Sequence, residues 1–414
     1  MMRISLFIFS MCILQAGEVS TPITTNSVEN EQRVLNEFVQ TLSKAPAVHA
    51  LRLRYAAAQR AEDGAGRLAD PMIGLGYARL RMPMENHPIY EAMVEQSLPR
   101  WGERDASRAL AVADSAMAAA GMQREVGMLA GQIAMLLAEL EGLQARINEG
   151  NFELKRIRAL SDTISARVGQ GSATVLDRLA IDSRAESLAI RITDWERQIA
   201  DKTGDIRAWL AISADQPMPI FVAPVPATFD AQQTPAIRQA LAERDLALAS
   251  LQTAQAMRRP MTAIGVRGEL EETEDGNERT IGATLSISLP VAHGAISAEI
   301  DAAQTRLLAA ERLIDAARLQ SRTAVEVARR AVDQAQRTTI LATTLMTRAD
   351  AEQQALATAA AGAGASITAI LDVSDRLAGL RVDLIDATVS ANQARAALWP
   401  HVLMILPPVK GTEP

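Results

Sequence analysis

The chain runs through the same order of landmarks twice. Pro46-Ala47-Val48 returns as Pro235-Ala236-Ile237, and Pro71, ahead of a strand-like run, returns as Pro260; both pairs are 189 residues apart. Ser97-Leu98-Pro99 returns as Ser288-Leu289-Pro290 at an offset of 191. Gly169-Gln170-Gly171 is matched by Gly362-Ala363-Gly364, and Leu176-Asp177 by Leu371-Asp372. Landmarks kept in one order at a nearly constant offset mark a duplicated structural unit. The reading divides the chain into a leader at 1–16, a first repeat at 31–212, a connector at 213–235, a second repeat at 236–399 and a tail at 400–414. Prolines at 217, 219, 224, 226 and 235 keep the connector from being helical along its length.

Each repeat has one plan: helix, strand, strand, long helix, Gly-marked turn, helix. In the second repeat Ile281, Ala283, Leu285, Ile287 and Leu289 alternate with Gly282, Thr284, Ser286 and Ser288, a period of two that predicts a strand with one apolar face. Strands are predicted over 72–82, 89–98, 261–270 and 280–289. The acidic stretch Glu271 to Asn277 is read as the turn of the second hairpin. After Pro290 the spacing changes. Ile296, Ile300, Ala303, Leu307, Ala310, Ile314 and Ala317 recur at a period of 3.5, a coiled-coil seam with small residues that let helices approach closely. Helical hairpins are predicted over 103–212 and 294–399. About 65 helical residues make a rod of roughly 100 Å.

Composition agrees with packed rods. Aromatics make up 3% of residues, too few for a thick globular core. Net charge is −7 with no dense Lys/Arg cluster, which excludes nucleic acid as a partner. Cys12 is the single cysteine and the four histidines are scattered, so no metal site or cofactor is predicted. No phosphate loop, nucleophile elbow, zinc signature or dinucleotide turn occurs, and an enzyme is not expected. The basic start, the apolar run Ile4 to Leu14 and Ala16-Gly17 predict a cleaved export signal.

Four strands in two hairpins cannot close a barrel in one chain, and an open edge in lipid leaves backbone groups unpaired. Strands of this length with one apolar face suit an outer-membrane barrel. Over about residues 31–399 the chain resembles the TolC-like outer-membrane efflux channels. The resemblance rests on the duplicated plan, on Ser-Leu-Pro ending the second strand of each repeat followed by Gly102 or Gly294, and on Arg167-Val168-Gly169-Gln170-Gly171 with Asp177 six places beyond. Val168 stands where that family usually has an aromatic residue. The resemblance implies a mostly α fold with a small β part, closed as a homotrimer into a 12-stranded barrel above a coiled-coil periplasmic tunnel. It implies an outer-membrane location, a periplasmic adaptor and an inner-membrane pump as partners, and contact with outer-membrane lipid. Asp70 to Tyr77, Met82-Pro83-Met84 and Gln96 to Pro99 look most like the heavy-metal branch.

By the same resemblance, Asp177, Asp372 and Arg167 are candidates for a constriction at the helical tips. Gly169, Gly171, Gly362 and Gly364 are candidates for adaptor contact. A periplasmic coiled-coil scaffold or adaptor without a pore is the alternative reading. It differs in membrane behaviour: a channel needs detergent, whereas a scaffold does not.

Overall fold

The computed structural model describes residues 25–81, 86–216, 218, 233–273, 276–290, 293–361 and 367–401. The leader, Gly362 and Gly364, and most of the connector and tail lie outside these residues. The elements in chain order are α1 (Thr25–Ser43), α2 (Pro46–Gly64), β1 (Met72–Arg81), β2 (Asn86–Leu98), α3 (Glu103–Gly169), α4 (Val175–Leu210), α5 (Pro235–Ala256), β3 (Met261–Thr273), β4 (Gly276–Ser288), α6 (His293–Ala361) and α7 (Ile367–Ala396), followed by a 3-10 turn at Trp399–His401.

The plan opens the first repeat with a single helix, but the structure divides it. Pro46 cannot donate to the preceding turn, so α1 ends at Ser43 and Pro46 opens α2 from its first turn. Pro235 opens α5 in the same way, behind Thr234, whose Oγ accepts from the Ile237 backbone N–H. Buried Thr234 also shares a hydrogen bond of 2.7 Å with Ser321 on α6.

α3 and α6 are rods of 67 and 69 residues, each about 100 Å long. Towards the sheet, α2 packs on α3, α3 on α5 and α5 on α6; towards the other end α4 packs on α3, α3 on α7 and α7 on α6. The helices thus stand side by side in two stacked rows that share the long rods. The larger core lies at mid-height. Val126, Ile133, Leu137 and Leu140 of α3 meet Phe38, Leu42 and Val48, Ile206 and Leu210, and Trp399. This is the part of α3 apolar enough to cross a membrane by length and composition, and most of it is already buried against these neighbours. Gly127 and Gly131 make room for the C-terminal turn: a Cβ at either would lie 3.2 Å from Pro400. Trp399 fills the space, with its ring 5.4 Å from that of Phe38.

The strands form one antiparallel sheet in the order β1-β2-β3-β4, with the two hairpins joined through β2 and β3. β1 and β4 are open edges. The acidic stretch departs from expectation. Glu271 to Thr273 and Gly276 to Glu278 continue the ladder, with Glu271 opposite Glu278. The carboxylates lie at the far end of the hairpin, where water can solvate them, and Gly276 at φ 133° supplies a backbone that other residues rarely adopt.

Candidate functional site

The register sorts the sheet into two unlike faces. Ile73, Leu75 and Tyr77 align with Val94, Ala92 and Tyr90; these align with Val266, Gly268 and Leu270; and these with Ala283, Ile281 and Arg279. One face is therefore mainly apolar across all four strands, interrupted by Gln96 and, towards its outer end, by Arg79 and Arg279, with Tyr77 and Tyr90 rings 5.4 Å apart. Among the described residues nothing covers it: Leu75 and Ile281 are each 83% exposed and Leu285 67%. Over 300–600 Å² of contiguous exposed apolar surface marks a face that meets something other than water.

The opposite face carries Glu91, Glu95, Glu269, Glu271 and Glu278, together with Thr280, Thr284 and Ser286. Glu91 stands directly opposite Glu269, a repulsive pair. Arg267 relieves it, meeting Glu91 at 3.0 Å and Glu269 at 3.4 Å. Arg267 is thus on the polar face, and Arg79 lies near the hairpin end, opposite Pro88.

At the far end of the helices the α3–α4 turn is built from local rules. Gly171 has φ 72°, which a Cβ would disfavour, and Ser172 donates from its backbone N–H and its hydroxyl to the Arg167 carbonyl. Thr174 then starts α4 with a reciprocal cap. Its Oγ accepts from the Asp177 N–H at 3.2 Å, and its own N–H and hydroxyl donate to the Asp177 carboxylate at 3.0 and 2.7 Å. These bonds, the Thr174 hydroxyl first and its backbone N–H second, hold the Asp177 carboxyl below its ordinary pKa.

The candidates at this end are not assembled into one cluster. Arg167 is half-buried in the last turn of α3, Asp177 is half-exposed and committed to its cap, and Asp372 is exposed near the start of α7. Among the described residues no hydrogen bond or ion pair joins the three. Gly169 ends α3 with open space around it and no unusual backbone, so only Gly171 of this pair is required by conformation.

A different polar set emerges between α3 and α7. Glu139 accepts from Gln393 and pairs with Lys202; Glu141 accepts from Asn392 at 3.0 Å; Arg146 pairs with Asp386; Glu149 pairs with Arg381; and Glu153 accepts from Ser374 at 2.7 Å. Arg381 also meets Asp350 of α6 at 3.3 Å and lies 5.7 Å over the Phe152 ring. Arg184 of α4 pairs with Asp375 of α7. The α3–α4 seam is mainly apolar, with Ile147, Leu154, Ile157 and Ile164 against Ile181, Leu188 and Ile192; its polar links are Glu139 with Lys202 and Ser161, which donates to Asp182 at 2.6 Å. A cleft of roughly 390 Å³ lies where α3, α4 and α7 meet, with Arg146, Arg184 and Asp375 in its wall. Burial raises the Glu141 pKa, and the Asn392 bond offsets this only in part. Sequence reasoning missed this set. Charges at helical spacing are visible in one helix, but the partner helix is over 200 residues away, as between Glu141 and Asn392.

No family model matches the chain, and no curated protein matches it. Solved structures do. The outer membrane protein VceC of Vibrio cholerae aligns over 89% of this chain and 95% of its own, with a TM-score of 0.73 and 16% identity. The MtrE outer membrane channel of Neisseria gonorrhoeae, solved in an open state, aligns over 89% and 88%, with a TM-score of 0.73 and 14% identity. The CmeC outer membrane channel of Campylobacter jejuni aligns over 93% and 89%, with a TM-score of 0.71 and 11% identity. At such identities the likeness is one of fold, and across nearly the whole of both chains it is the fold of the TolC-like outer-membrane channels.

Proposed function

We propose that the chain is the outer-membrane exit duct of a tripartite efflux system, assembled as a homotrimer. One observation carries the reading: a mainly apolar face runs across all four strands of a sheet whose two edges are open, on top of helices ordered in the same sequence as the strands. A sheet edge in lipid costs several kcal/mol for each unpaired backbone group. Joining β4 of one copy to β1 of the next removes every edge, and three copies of four strands make twelve. The apolar face then meets lipid and the polar face lines the duct. The same closure sets α6 of one copy beside α2 and α4 of the next and makes the two helix rows a tunnel.

Transport through such a duct is passive. The wall supplies water-filled space and a field, and an inner-membrane pump acting through a periplasmic adaptor supplies the energy. Glu91, Glu95, Glu269, Glu271 and Glu278 outnumber Arg267 on the polar face, so the field favours cations. That charge supports cationic cargo, heavy-metal ions or organic cations. At the periplasmic end Asp177, Asp372 and Arg167 form the constriction, Gly169, Gly171, Gly362 and Gly364 meet the adaptor, and the α3–α7 polar seam is the joint that yields on opening.

The test is fractionation followed by mass measurement of the detergent-purified protein. Recovery with outer membranes, dependence on detergent and a trimeric mass are expected. A water-soluble monomer would overturn the duct and favour a periplasmic scaffold or adaptor.

A further inference from the structure

All four strand–helix connections lie at one end of the sheet, and this junction gathers five exposed arginines that meet no carboxylate, beside one that does, Arg100 with Glu103. Along the helices Arg146, Arg184, Arg197, Arg376 and Arg381 each meet a carboxylate. At the junction Arg67 donates to the Asp63 carbonyl, Arg104 to the Gly66 carbonyl, Arg258 to the Ser297 hydroxyl and Arg259 to the Trp101 carbonyl. Arg108 lies against Gly66, its Cγ 2.9 Å from where a Cβ would stand. All five are exposed, and among the described residues none forms an ion pair. Asp63, Asp70, Asp105 and Glu299 are exposed on the same connections and first helical turns, one fewer than the five arginines.

Four of these guanidiniums are positioned by neutral acceptors, and all five keep donors free. Arginine presents a planar fork that matches a phosphate with two parallel hydrogen bonds. Beside them Trp101 is 85% exposed and Leu289 61%, and directly above begins the apolar face, at Ile73, Leu98 and Ile287. Trp101 stands three residues beyond Leu98, and Arg104 and Arg108 lie within the first two turns of α3. An apolar band, then an exposed indole, then unpaired guanidiniums is the order in which acyl chain, interface and phosphate are met on leaving a bilayer.

Resting on the duct reading, we infer that this belt binds the phosphate headgroups of anionic phospholipids and so sets the depth of the sheet in the membrane. Only a headgroup arrives with acyl chains for the adjoining apolar face; free phosphate matches the arginines alone.

Native mass spectrometry of the full detergent-purified protein, mixed with phosphatidylglycerol or with phosphatidylcholine of the same acyl chains, tests this. The protein is expected to retain phosphatidylglycerol in preference. Removing Arg67, Arg108 and Arg258 together as Gln should bring retention towards that of phosphatidylcholine, by about fivefold for each charge that contacts a headgroup. The corresponding Lys variants should keep most of the preference. Equal retention of both lipids, or an unchanged preference in the Gln variant, overturns the inference. So does displacement of phosphatidylglycerol by millimolar inorganic phosphate, which would identify a free-anion site. If the Gln variant fails to assemble, the wild-type preference is followed across sodium chloride concentrations; a preference indifferent to salt overturns the inference equally. Bilayer insertion and conductance of the Lys variants separate the two claims. Their persistence without lipid preference removes the belt and leaves the duct, whereas failure of the wild type to insert removes the duct.

Discussion

Gly142 of α3 packs directly against the side chain of Val389 of α7, so closely that a Cβ at 142 cannot be placed without one of them moving. Val389 is β-branched and stiff about its first torsion, so it cannot swing aside as a longer side chain would. Gly142→Ala should therefore push α7 from α3 and destabilise the protein by about 1–3 kcal/mol, read as a lower thermal midpoint. Adding Val389→Ala should recover most of the loss. Gly379→Ala, where nothing lies within 4 Å, should be far milder.

The polar seam predicts a different kind of weakness. Arg381 is the best-connected side chain on α7, meeting Glu149 and Asp350 over the Phe152 ring. Arg381→Ala leaves Glu149, whose side chain is 28% exposed, without its partner. A loss of about 1.5–3 kcal/mol is expected for charged bonds of this kind. In the duct reading the variant also opens more often, which single-channel recordings would register as raised open probability. Unchanged stability would show the pair to be incidental.

Asp177 gives a pH dependence whose sign is set by its lowered pKa. The cap is fully formed above the ordinary aspartate pKa and is lost as pH falls through the lower folded value. Protection of the amides at the start of α4 against hydrogen exchange should be constant above about pH 5 and decline below about pH 4. Thr174→Ala should abolish the protection at neutral pH and flatten the profile.

Glu141 behaves oppositely. Burial raises its pKa, so the protonated form is favoured in the folded state and the strain of burying its charge is relieved as pH falls. Glu141→Gln keeps the acceptor for Asn392 and removes the charge. The variant should melt higher than the wild type at pH 7, with the difference shrinking as pH is lowered towards 5. An equal or lower midpoint at pH 7 would contradict the account.

Trp399 closes the mid-height core from the C-terminal side. Trp399→Ala should cost about 3–5 kcal/mol, and Gly131→Leu should cost a similar part of it by displacing Pro400 from α3. Calorimetry of both variants checks the pair.

The large features were legible because they rest on periodicity and repetition. The period of two across Ile281 to Leu289 and the period of 3.5 after Ile296 each specify an element from its own residues. The break at Pro46 was also local and could have been read from the proline alone. The hairpin end was misjudged because acidic residues usually mark turns, yet Glu271 and Glu278 extend a ladder whose far end lies in water. The α3–α7 links were invisible for another reason. They join residues such as Glu153 and Ser374, separated by 221 positions, and depend on helix rotation that no spacing rule supplies. The cap role of Asp177 was within reach, since Thr174 followed by Asp177 is a capping-box pattern.

Single-channel recording of the detergent-purified protein in a planar bilayer addresses the central claim, that the apolar face closes around a pore. Discrete, cation-preferring openings are predicted, with the preference reduced when Glu91 and Glu269 are replaced by Gln. A well-folded oligomer that produces no openings, even as Arg381→Ala, and that stays soluble without detergent would contradict it.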